Sequence, residues 1–346
     1  MEHMEHPPIY MVTVVPGLEH IAMQEMQGRF PTLEVVKQLR GKVFFYYTGN
    51  YKDLLLLKCI ENLYLYLDSF HIGPHKADLP ELSKKIKNLR IPSSITRMLH
   101  PDKVSPPKIM VSASRSGKHT FSRFDVARIV LNALVDCFPF QEGTVEQHDI
   151  AFRVDVEGDR AYIHIKLTPA SFRFRGRNKE FLSGALKATV AHAMVLVSEP
   201  DETDVFLDPF CGTGTIPYER SFYDAYAILA SDSSQERLEV AKRNLPDYIG
   251  MNCWDACHTE LPDHSVTKIV SNLPWGKQIT VDDIGSLYLN FLREAGRILA
   301  PKGKIVLLTD REDLLVKGAK KNHFRMKKIT TLSLHGMHPS IFLLEK

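Results

Sequence analysis

The stretch Ser271-Asn272-Leu273-Pro274-Trp275-Gly276 follows the apolar run 266–270 and holds more chemistry than a turn needs. Proline presets φ, and Asn and Gly tolerate left-handed backbone, so the segment is a turn. That account leaves out Trp275, one of only two tryptophans in the chain. It also leaves out the amide of Asn272, placed where a strand would end.

A second constellation lies upstream, in LDPFCGTGTIP (207–217). A nicotinamide or flavin turn would read G-x-G-x-x-G. Here Gly212 and Gly214 begin that pattern and Pro217 breaks it. Asp208 stands ahead of the glycines, where a carboxylate would repel a pyrophosphate on the helix N-terminus. It would attract a ligand carrying an ammonium and a sulfonium, as S-adenosyl-L-methionine does. Asp232 and Asp255 end the next two strand-like runs. An acid at the second strand end can accept ribose hydroxyls, and one after the third can accept from an exocyclic adenine amine. Helix capping after a strand explains any one of these acids, but not all three around a glycine turn. The cofactor-binding candidates are Asp208, Phe210, Gly212, Thr213, Gly214, Asp232, Ser233, Asp255, Ala256 and Asn272. Cys253, Cys257 and His258 form a C-x3-C-H cluster with no second pair, so they read as buried packing and no metal is expected.

These residues need a scaffold that brings strand ends together. From about residue 200, short β-rich runs at 204–210, 225–232, 248–252, 266–272 and 304–310 alternate with helical patterns at 234–245 and 284–299. Such βα units give a doubly wound, mostly parallel Rossmann-like sheet with its ligand at the C-terminal strand ends. The last segment, 323–346, reads as an antiparallel hairpin at the sheet edge. Tyr288 and Phe291 have helical spacing and read as core. Earlier, strands at 9–15, 42–48 and 62–70 with helices at 18–29 and near 51–58 form a small α+β unit. A polar helix with Lys84, Lys85, Lys87 and Arg90, a strand from Lys108, a helix from Arg123 and a hairpin over 149–168 follow.

At 346 residues the chain should hold two or three domains. Its 44% hydrophobic and 25% charged content is that of a folded soluble protein. No apolar stretch approaches the roughly 20 residues of a membrane span. The start MEHMEHPPIY lacks a secretory pattern, so the five cysteines read as reduced thiols in a cytoplasmic protein. Residues 1–180 carry 25 Lys+Arg against 20 Asp+Glu, and residues 181–346 carry 19 against 21. That asymmetry suggests a polyanion-binding part joined to a nearly neutral one.

DPFCGTG and SNLPWG resemble the first and fourth motifs of class I S-adenosylmethionine-dependent methyltransferases. The second is similar to the N/D-P-P-Y/F signature of enzymes that methylate exocyclic base amines, with Leu273 at the first proline and Trp275 at the aromatic. Together with LKATVAHAM (186–194) and SASRSGKHTFSRFDVARIV (112–130), N-L-P-aromatic-G resembles the THUMP-containing tRNA (guanine-N2) methyltransferases. The usual proline of the LKATVAHAM motif is replaced by Ala188. The resemblance covers most of the chain. It implies a ferredoxin-like domain at 1–75, a THUMP RNA-binding domain at 76–170, a basic linker and leading helix at 171–190, and a methyltransferase domain at 191–346. It also implies a tRNA partner bound by its acceptor stem and 3′ end, with methylation at guanosine 6.

In that setting Asn272, Leu273, Pro274 and Trp275 become the catalytic candidates. The Asn272 amide oxygen and the Leu273 carbonyl would accept the two N–H bonds of the amine, Pro274 would aim that carbonyl, and Gly276 would leave room. Trp275 would stack on the base, a contact worth about 1–3 kcal/mol in single-strand systems. A duplex target must be extruded at a cost of a few kcal/mol, which calls for contacts elsewhere. Arg115, Lys118, His119, Arg123, Arg128, Arg173, Arg175 and Arg177, with Lys179, are the candidates for phosphate contact. Another base amine in tRNA, rRNA or DNA, and a non-catalytic RNA-binding protein that retains the cofactor, remain as alternatives.

Overall fold

The computed structural model of the chain describes residues 7–101, 105–175, 185–276, 284–334 and 336–346. The first part contains β1 (Ile9–Thr13), α1 (Glu19–Arg29), β2 (Glu34–Leu39), β3 (Lys42–Tyr46), β4 (Asn62–His71), α2 (Leu79–Ile86), α3 (Ser93–Leu99), β5 (Lys108–Ser116), α4 (Arg123–Cys137), β6 (Gln141–Glu142), β7 (Ile150–Glu157) and β8 (Arg160–Lys166). These eight strands make one sheet in the order β2-β3-β1-β4-β8-β7-β5-β6. The boundary expected at residue 75 therefore divides the sequence but not the sheet. Antiparallel pairing of β4 with β8, from Tyr64 opposite Lys166 to His71 opposite Arg160, joins the two segments.

Strand alternation sorts this sheet into two faces. Val12, Val43, Phe45, Leu63, Phe152 and Ile163 share a core with residues of α1, α2 and α4. Met11, Phe44, Tyr64 and Tyr162 form a separate aromatic cluster. Beside that cluster, Asp155 is buried against Lys42 and Arg153 and accepts a short hydrogen bond from Ser114. Helix α4 starts with a reciprocal cap in which Ser122 and Asp125 satisfy each other's backbone N–H.

The second part contains α5 (Ala188–Val197), β9 (Val205–Asp208), α6 (Thr215–Arg220), β10 (Ala227–Ser231), α7 (Gln235–Asn244), β11 (Gly250–Asn252), β12 (Val266–Asn272), α8 (Ile284–Ile298), β13 (Leu299–Thr309), α9 (Glu312–Lys321), β14 (Arg325–Thr331) and β15 (Ser340–Glu345). Its sheet runs β11-β10-β9-β12-β13-β15-β14. The first five strands are parallel. β15 runs antiparallel to both β13 and β14 and completes the edge hairpin. Because β10 and β11 wind to one side of β9 while β12 lies on the other, the β9/β12 crevice is the topological switch point where such folds bind ligands. Helix α5 packs on α6 and reaches α1, so it belongs to this second layer and not to a free linker. Among the described residues, no helix is long and apolar enough to cross a membrane.

Candidate active site

The site is assembled at the C-terminal ends of β9, β10, β11 and β12. Asp208 closes β9 and is only 1% exposed. Its Oδ1 accepts Ser271 Oγ–H at 2.6 Å and the Phe210 N–H at 3.2 Å, so it ties β9 to β12 across the switch point. Burial pushes this carboxyl up to about 7 despite those two hydrogen bonds, with Asp232 adding to the rise. The carboxylate that the sequence reading assigns to an ammonium-bearing ligand thus has its Oδ1 held by the protein's own groups.

Asp232 follows β10 and is also buried. It accepts the Gly212 N–H on Oδ2 and the Ser234 N–H on Oδ1, each at 3.0 Å, which pins the glycine turn to the start of α7. Gly214 sits at φ +87°, and a Cβ there would come within 2.8 Å of Leu245 Cγ. Only glycine suits that position. The Thr213 carbonyl accepts Asn244 Nδ2–H at 3.0 Å. Asp255 is exposed and accepts the Cys257 N–H at 2.9 Å. Ser233 is exposed, Ala256 is buried, and Phe210 packs edge-on to Phe291 at 5.2 Å. Cys253 is exposed and not packed as expected, and no group of three metal-type side chains occurs among the described residues.

The turn after β12 differs in kind. Asn272 Oδ1 and Trp275 Nε1 are both buried without a hydrogen-bond partner among the described residues. Leaving such groups unpaired costs about 1–3 kcal/mol each. The turn itself is firmly held. Leu273 N–H donates to the Leu308 carbonyl at 3.1 Å, and Tyr288 Oη–H donates to the Pro274 carbonyl at 3.0 Å while meeting Thr309 Oγ1 at 2.6 Å. Gly276 lies at φ +75°, again a left-handed position. Tyr288 and Phe291 are core residues as their spacing suggested, but the bracing role of the Tyr288 hydroxyl had no signal in the sequence. Trp275 is 9% exposed and joins the apolar core.

The basic candidates separate into groups. Arg115, Lys118, Arg123 and Arg173 are exposed, with Arg123 lying 4.8 Å from the centre of the exposed Phe124 ring. Arg128 is exposed but paired with Glu142 at 3.0 Å. His119 is a scaffold residue: its Nε2 meets the Gly158 carbonyl at 2.7 Å and its ring packs on Phe121. Arg175 corrects the sequence reading most sharply. Its side chain is 5% exposed and bonded to Glu219 and to the Lys58 carbonyl, which removes it from the phosphate-facing surface. Arg177 and Lys179 lie outside the described residues.

A glycine turn braced by strand-end acids, facing a proline-stiffened turn with an unpaired amide across the switch point, defines a class I methyltransferase domain. Comparison with known proteins agrees: residues 175–340 match the family described as RMKL-like, methyltransferase domain, and residues 76–166 match the THUMP domain. The chain therefore joins a region similar to the THUMP domain to one similar to the RMKL-like methyltransferase domain. A Methanocaldococcus jannaschii protein named tRNA (guanine(6)-N2)-methyltransferase is 23% identical over 97% of this chain and 99% of its own length. The Thermus thermophilus protein of the same name is 28% identical over 96% and 98%. The crystal structure of TrmN from Thermus thermophilus has a TM-score of 0.81 at 26% identity, covering 98% of this chain and 99% of that one.

Proposed function

We propose that the protein transfers a methyl group from S-adenosylmethionine to the exocyclic N2 of guanosine 6 in the tRNA acceptor stem. The observation that carries this reading is the buried, unpaired Asn272 Oδ1 at the end of β12, next to the glycine turn that follows β9. A buried acceptor with no internal partner suits a ligand that brings an N–H. Two relatives that align over nearly their whole length, named for guanine 6 of tRNA, support that position.

The residues present fit the methyl donor. The turn at Gly212 and Gly214 would hold its methionine end, Asp232 its ribose and Asp255 its adenine, each carboxylate having lone pairs left after its internal hydrogen bonds. When bound, S-adenosylmethionine supplies an electrophilic methyl on sulfur. The protein's task is geometric, because the amine lone pair is delocalised into the purine and must be turned toward that methyl. Asn272 Oδ1 and the Leu273 carbonyl would accept the two N2–H bonds and so fix the direction of the lone pair. Tyr288, holding the Pro274 carbonyl, keeps those acceptors from drifting. No strong general base is needed, since the methylated N2 is acidic enough to release its proton to solvent. Alignment and fixed dipoles supply the acceleration.

Incubation of the full chain with labelled S-adenosylmethionine and purified tRNA, followed by nucleoside mass spectrometry, tests the reading. N2-methylguanosine at position 6 is expected. Label on another base amine, in tRNA, rRNA or DNA, would move the assignment to that substrate, and no label with any of them would end it.

A further inference from the structure

Between the RNA-binding part and the methyltransferase part lies a buried polar network. Glu25, on α1, accepts the Lys58 and Cys59 N–H groups at 2.8 Å each, and its Oε1 lies 3.7 Å from His192 Nε2 on α5. His192 Nδ1 meets Glu219 Oε2 at 3.0 Å, and Tyr223 Oη meets His192 Nε2 at 3.0 Å. Arg175 closes the ring: its Nε donates to Glu219 Oε1 at 3.1 Å and its Nη2 donates to the Lys58 carbonyl at 2.6 Å. The side chains of His192 and Glu219 are fully buried. Burial opposes ionisation of Glu219, but His192 and Arg175 outweigh it and keep the carboxyl below its ordinary range.

Two features make this more than interface filling. Buried charges tolerate little displacement, because each loses its compensation when the partner moves, so such a network selects one docking geometry. Glu219 also lies on α6, the helix that Gly214 caps, so the network joins the RNA-binding part to the element that leaves the cofactor turn. A second docking point fixes the remaining freedom: Ser333 N–H donates to the Pro16 carbonyl at 2.9 Å, and Thr330 Oγ1–H donates to the Gly17 carbonyl at 2.7 Å.

We infer that Arg175, with His192 and Glu219, is a positioning latch that sets the RNA-binding part at a fixed distance from the methyl-transfer turn and thereby selects which guanosine is methylated. The inference rests on the tRNA reading above. Arg175 touches neither base nor cofactor in this scheme and acts through Glu219 and Lys58.

The test uses the full chain, with Arg175→Ala and Arg175→Lys, plus Glu219→Gln should the alanine variant not fold. A packing control, Leu315→Ala, removes a buried side chain from the methyltransferase core away from the latch. Four quantities are read: the Kd for tRNA, the Kd for S-adenosylmethionine, the single-turnover rate at saturation, and the position of the methylated guanosine. Arg175→Ala is expected to keep both Kd values within about threefold while the saturated rate falls by about 10- to 100-fold, the scale of an ångström-sized misplacement. A share of methyl groups should move to neighbouring guanosines, and Arg175→Lys should recover part of the rate. A saturated rate within about twofold of the parent, or a loss matched by Leu315→Ala with methylation still confined to one guanosine, overturns the latch. A higher tRNA Kd at an unchanged saturated rate also overturns it and returns Arg175 to phosphate contact. Failure of the unaltered protein to methylate tRNA would instead overturn the functional reading.

Discussion

The strand-end acids and the turn after β12 face one another across the same crevice, yet their hydrogen bonding is opposite. Asp208 and Asp232 are buried, and Asp208 Oδ1 and both Asp232 oxygens accept from Ser271 or from backbone N–H groups of the protein. Asn272 and Trp275 are equally part of the wall but keep a buried acceptor and a buried donor without partners among the described residues. The difference separates two kinds of candidate that look alike in a sequence: acids already braced by the protein's own N–H and O–H groups, and a turn whose buried amide oxygen has no partner among the described residues.

Removing the waiting acceptor should have the largest effect. Asn272→Ala should lower single-turnover methylation by about 10²–10³-fold, comparable with loss of one preorganised transition-state contact, while cofactor Kd and Tm change little. Methylation at the parent rate would erase the distinction. Asp232→Ala should do the reverse. Losing the acceptor of the Gly212 and Ser234 N–H groups should cost about 1–3 kcal/mol of stability, read by denaturant unfolding, with a matching loss of cofactor affinity.

The smallest effect is a pH dependence carried by Asp208. Its folded pKa of about 7 lies above the ordinary value of 3.8, so the folded state holds a proton that the unfolded state has released between those values. Its contribution is therefore fully present below pH 3.8 and is lost as pH rises through about 7. Asp208→Asn, compared with the parent by unfolding at pH 5 to 8, should flatten this slope. Parallel curves would mean that Asp208 does not titrate in that range.

Much of this architecture was legible because local chemistry dictates it. The glycines of DPFCGTG sit where left-handed backbone is required, and the βα alternation after residue 200 follows from period and turn signals alone. What escaped depended on partners distant in sequence. Arg175 lies in SFRFRGRNK, which resembles a phosphate-binding run until Glu219 is placed beside it. Strand β2 was missed because its Glu34–Leu39 sequence, EVVKQL, is mostly exposed and lacks a clear alternation. The packing of Trp275 into the apolar core also has no local signal, and the bracing of Pro274 by Tyr288 depends on a helix 14 residues away.

The β4–β8 seam also constrains how the chain can be made. β4 gains β1 as a neighbour early, but its other edge pairs only with residues 160–166. At about 5–20 residues per second, a ribosome delivers that partner only after roughly 5–20 seconds. During that interval a ten-residue strand, NLYLYLDSFH, stands with an unpaired edge, the kind of surface that templates aggregation. A fragment cut near residue 75 would make that transient exposure permanent. Expression of the part built on the eight-stranded sheet therefore needs both of its sequence segments in one chain.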